Sequence, residues 1–225
     1  LTGATAFMVI HAAFALLLAR HAGIRDIVVG TPVAGRDSVA EEGAVGFFAR
    51  TLVLRLAVDE TATVSEHVAA AREVDLAAFA HQAMPFERLV GDLGVARRTD
   101  RTPVFQVLLS LENTPRPAVR LAGLAAEAIP LVPAVARNDL SLLLRADDAA
   151  RITGAWEYAT DLFDAATVDA LSRRLLHLLD AMAADPSRRL ADIPTMDAVE
   201  AGGLVMEGPA RPVDGATLHE RFERH

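Results

Sequence analysis

AFMVIHAAFALLLARHAGIRDIVVGTPVAGR, Ala6 to Arg36, decides the fold class, because an apolar helix runs through one glycine turn straight into an apolar strand. Its opening run, Ala6 to Ala19, holds His11 and falls short of the ~20 apolar residues that a membrane span requires. Nothing basic precedes it and RHAGIRD offers no small-residue cleavage site, which argues against a secretion signal. The pattern predicts a buried helix within Leu1 to Ala22, from about Thr5 to Arg20, closed at Gly23 by a left-handed cap. IVVGTPV, Ile27 to Val33, follows as a buried strand.

Outward from this unit the periodicity keeps changing. VGFFARTLVLRLAV, Val45 to Val58, reads as a second strand, reached through the polar loop AGRDSVAEEG. Thr63-Val64-Ser65-Glu66 fits a capping box ahead of a helix from Val64 to about Ala80. Pro85 suits the first position of the next helix, PFERLVGDLG. Strands are expected at Val104 to Leu111 and, more weakly, Leu121 to Ile129. Asp139 to Ala146 and Arg151 to Ala159 form a hairpin. Val168, Leu171, Leu175, Leu178 and Met182 mark a last amphipathic helix, ended by Asp185-Pro186. The expected class is α/β (α+β), a mixed open sheet with helices packed against one main face.

Composition narrows the function. The chain has 225 residues, 52% apolar, with a net charge of −8, so it lacks the basic face that nucleic-acid binding needs. All 22 basic residues are Arg, a bias that a GC-rich genome produces without functional demand. Zero Cys removes disulfides, thiolate nucleophiles and Cys-based zinc sites, and suits a reducing cytoplasm. Beginning at Leu1 and entering a helix at once, the chain reads as a piece of something longer.

No catalytic motif stands out. GTPVAGRD imitates a phosphate-binding loop, but Arg36 replaces the lysine, Asp37 the metal-binding hydroxyl, and Pro32 removes an N–H from the cradle. His219-Glu220 lacks the second histidine of a zinc protease, and no G-x-S-x-G occurs. The seven histidines are scattered, so no metal site is expected. HQAMPFERLV, His81 to Val90, reads as a helix–helix connector in which His81 favours a helix C-terminus, Gln82 bonds free carbonyls and Phe86 anchors the joint.

Taken in order, these segments resemble the C-terminal half of a condensation domain of nonribosomal peptide synthetases. Ala12 to Arg36 looks like that family's helix–strand–loop opening to its second subdomain. VGFFARTLVLR resembles the family's IGxFVNTxxxR block, HQAMPFERLV its HQDxPFExLV block, and RTDRTPVFQVLLSLEN its RDxSRxPLFQVxFxxQN block. NDLSLLL, YATDLFDAATVDAL and DPSRRLADIP look like its later strands, closing helix and exit. TLHERFERH resembles the start of an adenylation domain. Ala49-Arg50 stand where the family has Val-Asn, and Ala83 where it has Asp.

The resemblance implies a chloramphenicol-acetyltransferase-like subdomain over residues 1–196, a linker over 197–215 and an adenylation start over 216–225. It implies peptide-bond formation between a carrier-bound acyl or peptidyl donor and an aminoacyl acceptor. The HHxxxDG motif is absent, so no catalytic residue is expected here and the chain alone should be inactive. Arg36, Arg50 and Asn138 are the substrate-tunnel candidates, while Gly46, Phe48, His81, Gln82, Pro85, Phe86 and Glu87 are structural motif residues. No cofactor binds directly; carrier domains would bring phosphopantetheine arms. The implied partners are those carriers, the N-terminal half and a downstream adenylation domain, with no nucleic acid or membrane. The alternatives are an epimerisation domain, a non-catalytic recruitment domain or a freestanding acyltransferase of the same superfamily.

Overall fold

A computed structural model describes residues 3–36, 41, 43–96, 98, 101–112, 123, 129, 135–147 and 151–203. The chain divides into two units, residues 1–195 and 196–225.

The first unit is built around helix α1, Ala6–Ala22. Thr5 caps its start by accepting from the Met8 N–H, and Gly23 at φ 67° closes its end by donating to the Ala19 carbonyl. Only glycine takes that left-handed cap without a Cβ penalty. The helix is apolar on several faces because several elements bury it: Phe14, Leu16 and Leu17 are fully buried, and Phe7 is partly so.

Strands β1 (Asp26–Val33), β2 (Arg50–Ala57), β3 (Val107–Glu112), β4 (Leu140–Ala146) and β5 (Ile152–Tyr158) form one sheet in the order β2-β1-β3-β4-β5. β1 runs antiparallel to β2 and parallel to β3; β3 and β4 are parallel, β4 and β5 an antiparallel hairpin. The sheet is mixed, as expected. Alternate residues point to opposite faces. Ile27, Val29, Leu56, Leu109, Leu140 and Leu142 meet α1, helix α2 (Val64–Ala80) and helix α4 (Ala165–Ala184) in one core. The short helix α3, Phe86–Asp92, lies beside edge strand β2.

The capping box at α2 forms, with Thr63 N–H on Glu66 Oε2 at 2.8 Å and Glu66 N–H on Thr63 Oγ1 at 3.3 Å. Three expected boundaries move. β2 begins at Arg50, because Val45 and Phe47 are almost fully exposed in a loop. β3 begins at Val107, because Val104 takes φ 72°, which breaks an extended run. Pro85 is the N-cap residue of α3, with ψ 140°, rather than its first helical residue. The weaker strand expected at Leu121 to Ile129 falls almost wholly outside the described residues, as does TLHERFERH.

The unit closes on a strap, residues 186–195, bridged to the start of α2 through Thr63 and Arg189. Arg20 holds the strap from α1. Its guanidinium donates to both Glu60 carboxylate oxygens (2.9 and 2.7 Å), to the carbonyls of Leu190 (2.6 Å) and Ile193 (2.7 Å), and to Thr195 Oγ1 (3.2 Å). In the second unit, within the stretch 197–215 read from sequence as a linker, residues Ala198–Gly203 form helix α5. Among the described residues no helix is long and apolar enough to cross a membrane.

Candidate functional site

β1 and β3 pair only at Gly30 and Leu108. Pro32, two residues further along β1, has no N–H to donate. Past that point two cavities open. The first, of about 610 Å³, is bordered by Thr5 and Phe7 of α1, Phe79 and Gln82 at the end of α2, Arg36, and Glu112 of β3. The second, of about 540 Å³, is bordered by Phe47, Arg50, Phe105, Asn138, Ser141 and Glu157. Pro32 and Ser110 border both. A third cavity, of about 590 Å³ between α1, α4 and the β4–β5 hairpin, is mainly apolar and includes Trp156 and Leu175.

The tunnel candidates therefore divide, Arg36 at the first cavity, Arg50 and Asn138 at the second. Each also has protein partners. The Arg36 guanidinium lies 4.4 Å from the Phe48 ring centroid and donates to the carbonyls of Glu41 and Ala44, closing the loop before β2. A Cβ on Gly35, at φ 63°, would sit 2.0 Å from the Phe48 carbonyl oxygen, so glycine is needed there. Gly46 is less constrained: a Cβ there would come 3.1 Å from the Phe48 ring, a tight contact that a small shift of the ring could relieve. Arg50 Nη1 donates to the Gln82 carbonyl at 3.2 Å, joining the β2 block to the HQAMPFERLV block. Asn138 accepts weakly from Thr102 Oγ1 at 3.4 Å and donates to Ser141 Oγ at 3.3 Å.

His81 caps α2, its ring Nδ1 donating to the Ala77 carbonyl at 2.8 Å. Pro85 turns the chain, Glu87 stands in the exposed first turn of α3, and Phe86 packs its ring against Phe105. Phe105 in turn lies against Gly30 on the sheet face opposite the core.

Sequence reasoning missed a buried polar cluster between α1 and α2. His11 Nδ1 donates to Asp75 Oδ1 at 2.8 Å, both side chains fully buried, and His67 Nε2 donates to the Ala12 carbonyl at 3.0 Å. Burial pushes the His67 imidazole below its usual pKa. The Arg20 guanidinium holds the Glu60 carboxyl below the usual range, against partial burial. The available signal was Asp75 falling on the stripe Val64, Val68, Ala71, at helical spacing. Among the described residues no group of three or more His, Asp or Glu could hold a metal ion.

Residues 1–205 match the Condensation domain family. The chain is 39% identical over 230 residues to the probable non-canonical nonribosomal peptide synthetase CymA of Salinispora arenicola, covering 99% of this chain and 3% of that protein. It is 38% identical over 206 residues to the isonitrile lipopeptide synthase of Mycobacterium tuberculosis, covering 89% and 8%. The chain thus spans only a few per cent of the length of the relatives it matches. Among solved structures, the X-domain from teicoplanin biosynthesis superposes with a TM-score of 0.79 at 32% identity, covering 86% of this chain and 44% of that one. The mixed open sheet with helices on one main face is the chloramphenicol-acetyltransferase-like fold of these domains, and the chain belongs to the condensation domain family of nonribosomal peptide synthetases.

Proposed function

We propose that this chain is the C-terminal half of a two-part condensation domain that joins a carrier-bound acyl or peptidyl donor to a carrier-bound aminoacyl acceptor. The observation that carries the reading is coverage: 86% of this chain accounts for 44% of a solved relative, with the family blocks gathered around two cavities on one sheet. In the reaction the acceptor amine attacks the donor thioester carbonyl, the amide bond forms, the C–S bond breaks and the thiol leaves with a proton. Holding two tethered reactants in line is worth several kcal/mol, so a half that supplies one wall contributes by positioning. The histidine motif that would orient or deprotonate the amine belongs to the N-terminal half. The phosphopantetheine arms enter as parts of the substrates, and in this reading a linker over residues 197–215 leads from the strap to an adenylation domain.

Arg36, Arg50 and Asn138 border the substrate path in this reading. The test joins this chain to its N-terminal half, supplies loaded donor and acceptor carriers, and follows the acceptor carrier by intact-protein mass spectrometry. A mass gain equal to the donor acyl group supports condensation.

One observation favours a second reading. The teicoplanin X-domain, also solved as a complex with OxyB, is 32% identical to this chain. A recruitment domain would show no mass gain and would bind a partner enzyme in its place.

A further inference from the structure

The buried pair His11 and Asp75 has no part in the chemistry above, and its position is informative. Phe7 stands one turn before His11 on α1, and Phe79 one turn after Asp75 on α2. The two phenyl rings meet edge to face, centroids 6.4 Å apart, and both border the 610 Å³ cavity. Phe7 also lies against His11, with ring centroids 6.3 Å apart. The polar bond thus sits directly beneath an aromatic wall built from one residue of each helix.

A wholly apolar crossing would serve stability better. Two ionisable groups out of water are costly even when paired, and apolar replacements of similar volume are often neutral or stabilising. Here the cost is heightened, since His11 Nε2 and Asp75 Oδ2 are buried without protein partners. A hydrogen bond has what an apolar contact lacks: one distance and one direction, which fixes the register of two helices against sliding or rotation. His67 adds a second fixed point through the Ala12 carbonyl, between the same two helices.

We infer that His11 and Asp75 are positioning residues that set the register of α1 against α2, and through it the Phe7–Phe79 wall of the cavity. The inference rests on the reading of that cavity as part of the substrate path. It predicts that the wall, rather than the stability of the unit, is what the pair controls.

The test compares wild type, the double variant His11→Leu with Asp75→Leu, and Asp75→Asn, which keeps an acceptor for the His11 N–H. In the full 225-residue chain labelled with 4-fluorophenylalanine, fluorine NMR reads the wall directly, with Phe7→Leu and Phe79→Leu assigning two of the nine phenylalanine signals. In the two-part domain, steady-state condensation gives KM and kcat. The double Leu variant is expected to unfold at the same or a higher temperature, yet to shift both assigned signals and to raise KM roughly tenfold with a smaller change in kcat. Asp75→Asn is expected to return signals and KM to wild type. Wild-type signals and KM in the double variant would overturn the inference, as would an Asp75→Asn variant as impaired as the double. If the wild-type domain forms no product, the condensation reading fails, and the fluorine signals alone still decide whether the pair sets the wall.

Discussion

The ring of Phe86 packs against that of Phe105 with centroids 5.5 Å apart and planes at 57°, so the PFE block and the FQV block meet although these two residues stand 19 positions apart in sequence. Phe105 is buried and lies where a Cβ on Gly30 would come within 2.3 Å of its ring. Two blocks distant in the chain thus converge on one glycine of β1. Gly30→Ala is expected to cost about 1–3 kcal/mol, the range of overpacking a filled site. Combining it with Phe105→Leu should cost less than the sum of the two single changes, as a urea-melt double-mutant cycle would show.

Arg50 stands where the sequence resemblance leads one to expect Asn, and its bond to the Gln82 carbonyl links β2 to the end of α2. Arg50→Asn removes that link and is expected to cost about 1 kcal/mol. Limited proteolysis should cut residues 81–85 sooner in the variant. Unchanged stability and cutting would mean that the link contributes nothing.

His67 gives the unit a dependence on pH. Its imidazole is depressed chiefly by burial, so the unfolded chain takes up the proton first. The stability it contributes is whole above the ordinary histidine value of about 6.5, and is lost as the pH falls below that towards the depressed folded value. His67→Gln keeps an N–H for the Ala12 carbonyl and removes the titration. Melting temperatures measured across this range should therefore fall less steeply with acid in the variant.

Arg20→Met retains the apolar stem and removes every bond to Glu60 and the strap. The expected cost is about 3 kcal/mol, because carbonyls and a carboxylate lose a charged donor in a partly buried place. Trypsin should then reach Arg188 and Arg189 faster than in wild type, through local opening of the strap.

The elements that local chemistry dictates were legible in the sequence. Gly23 ends α1, Thr63 and Glu66 cap α2, and the β4–β5 hairpin lies where alternation placed it. Apolar content misled at Val45 and Phe47, which are exposed in a loop and not part of β2, since a short apolar run carries no mark of whether it is covered. The site was less legible because it depends on pairings across the chain. His11 and Asp75 are 64 residues apart, and Pro32 and Ser110 become neighbours of both cavities only through the parallel pairing of β1 with β3. His11 lay inside an apolar run and Asp75 on an apolar stripe. Each was a visible anomaly, but only the crossing of two helices makes them partners.

The central claim is that this chain supplies a wall and the N-terminal half supplies the base. The most direct measurement mixes loaded donor and acceptor carriers with this chain alone, with the N-terminal half alone, and with both, and follows dipeptidyl product on the acceptor carrier by mass spectrometry. Product should form only where both halves are present, because losing the base or the alignment slows turnover by roughly two orders of magnitude or more. Product forming with this chain alone, well above the protein-free background, would contradict the claim.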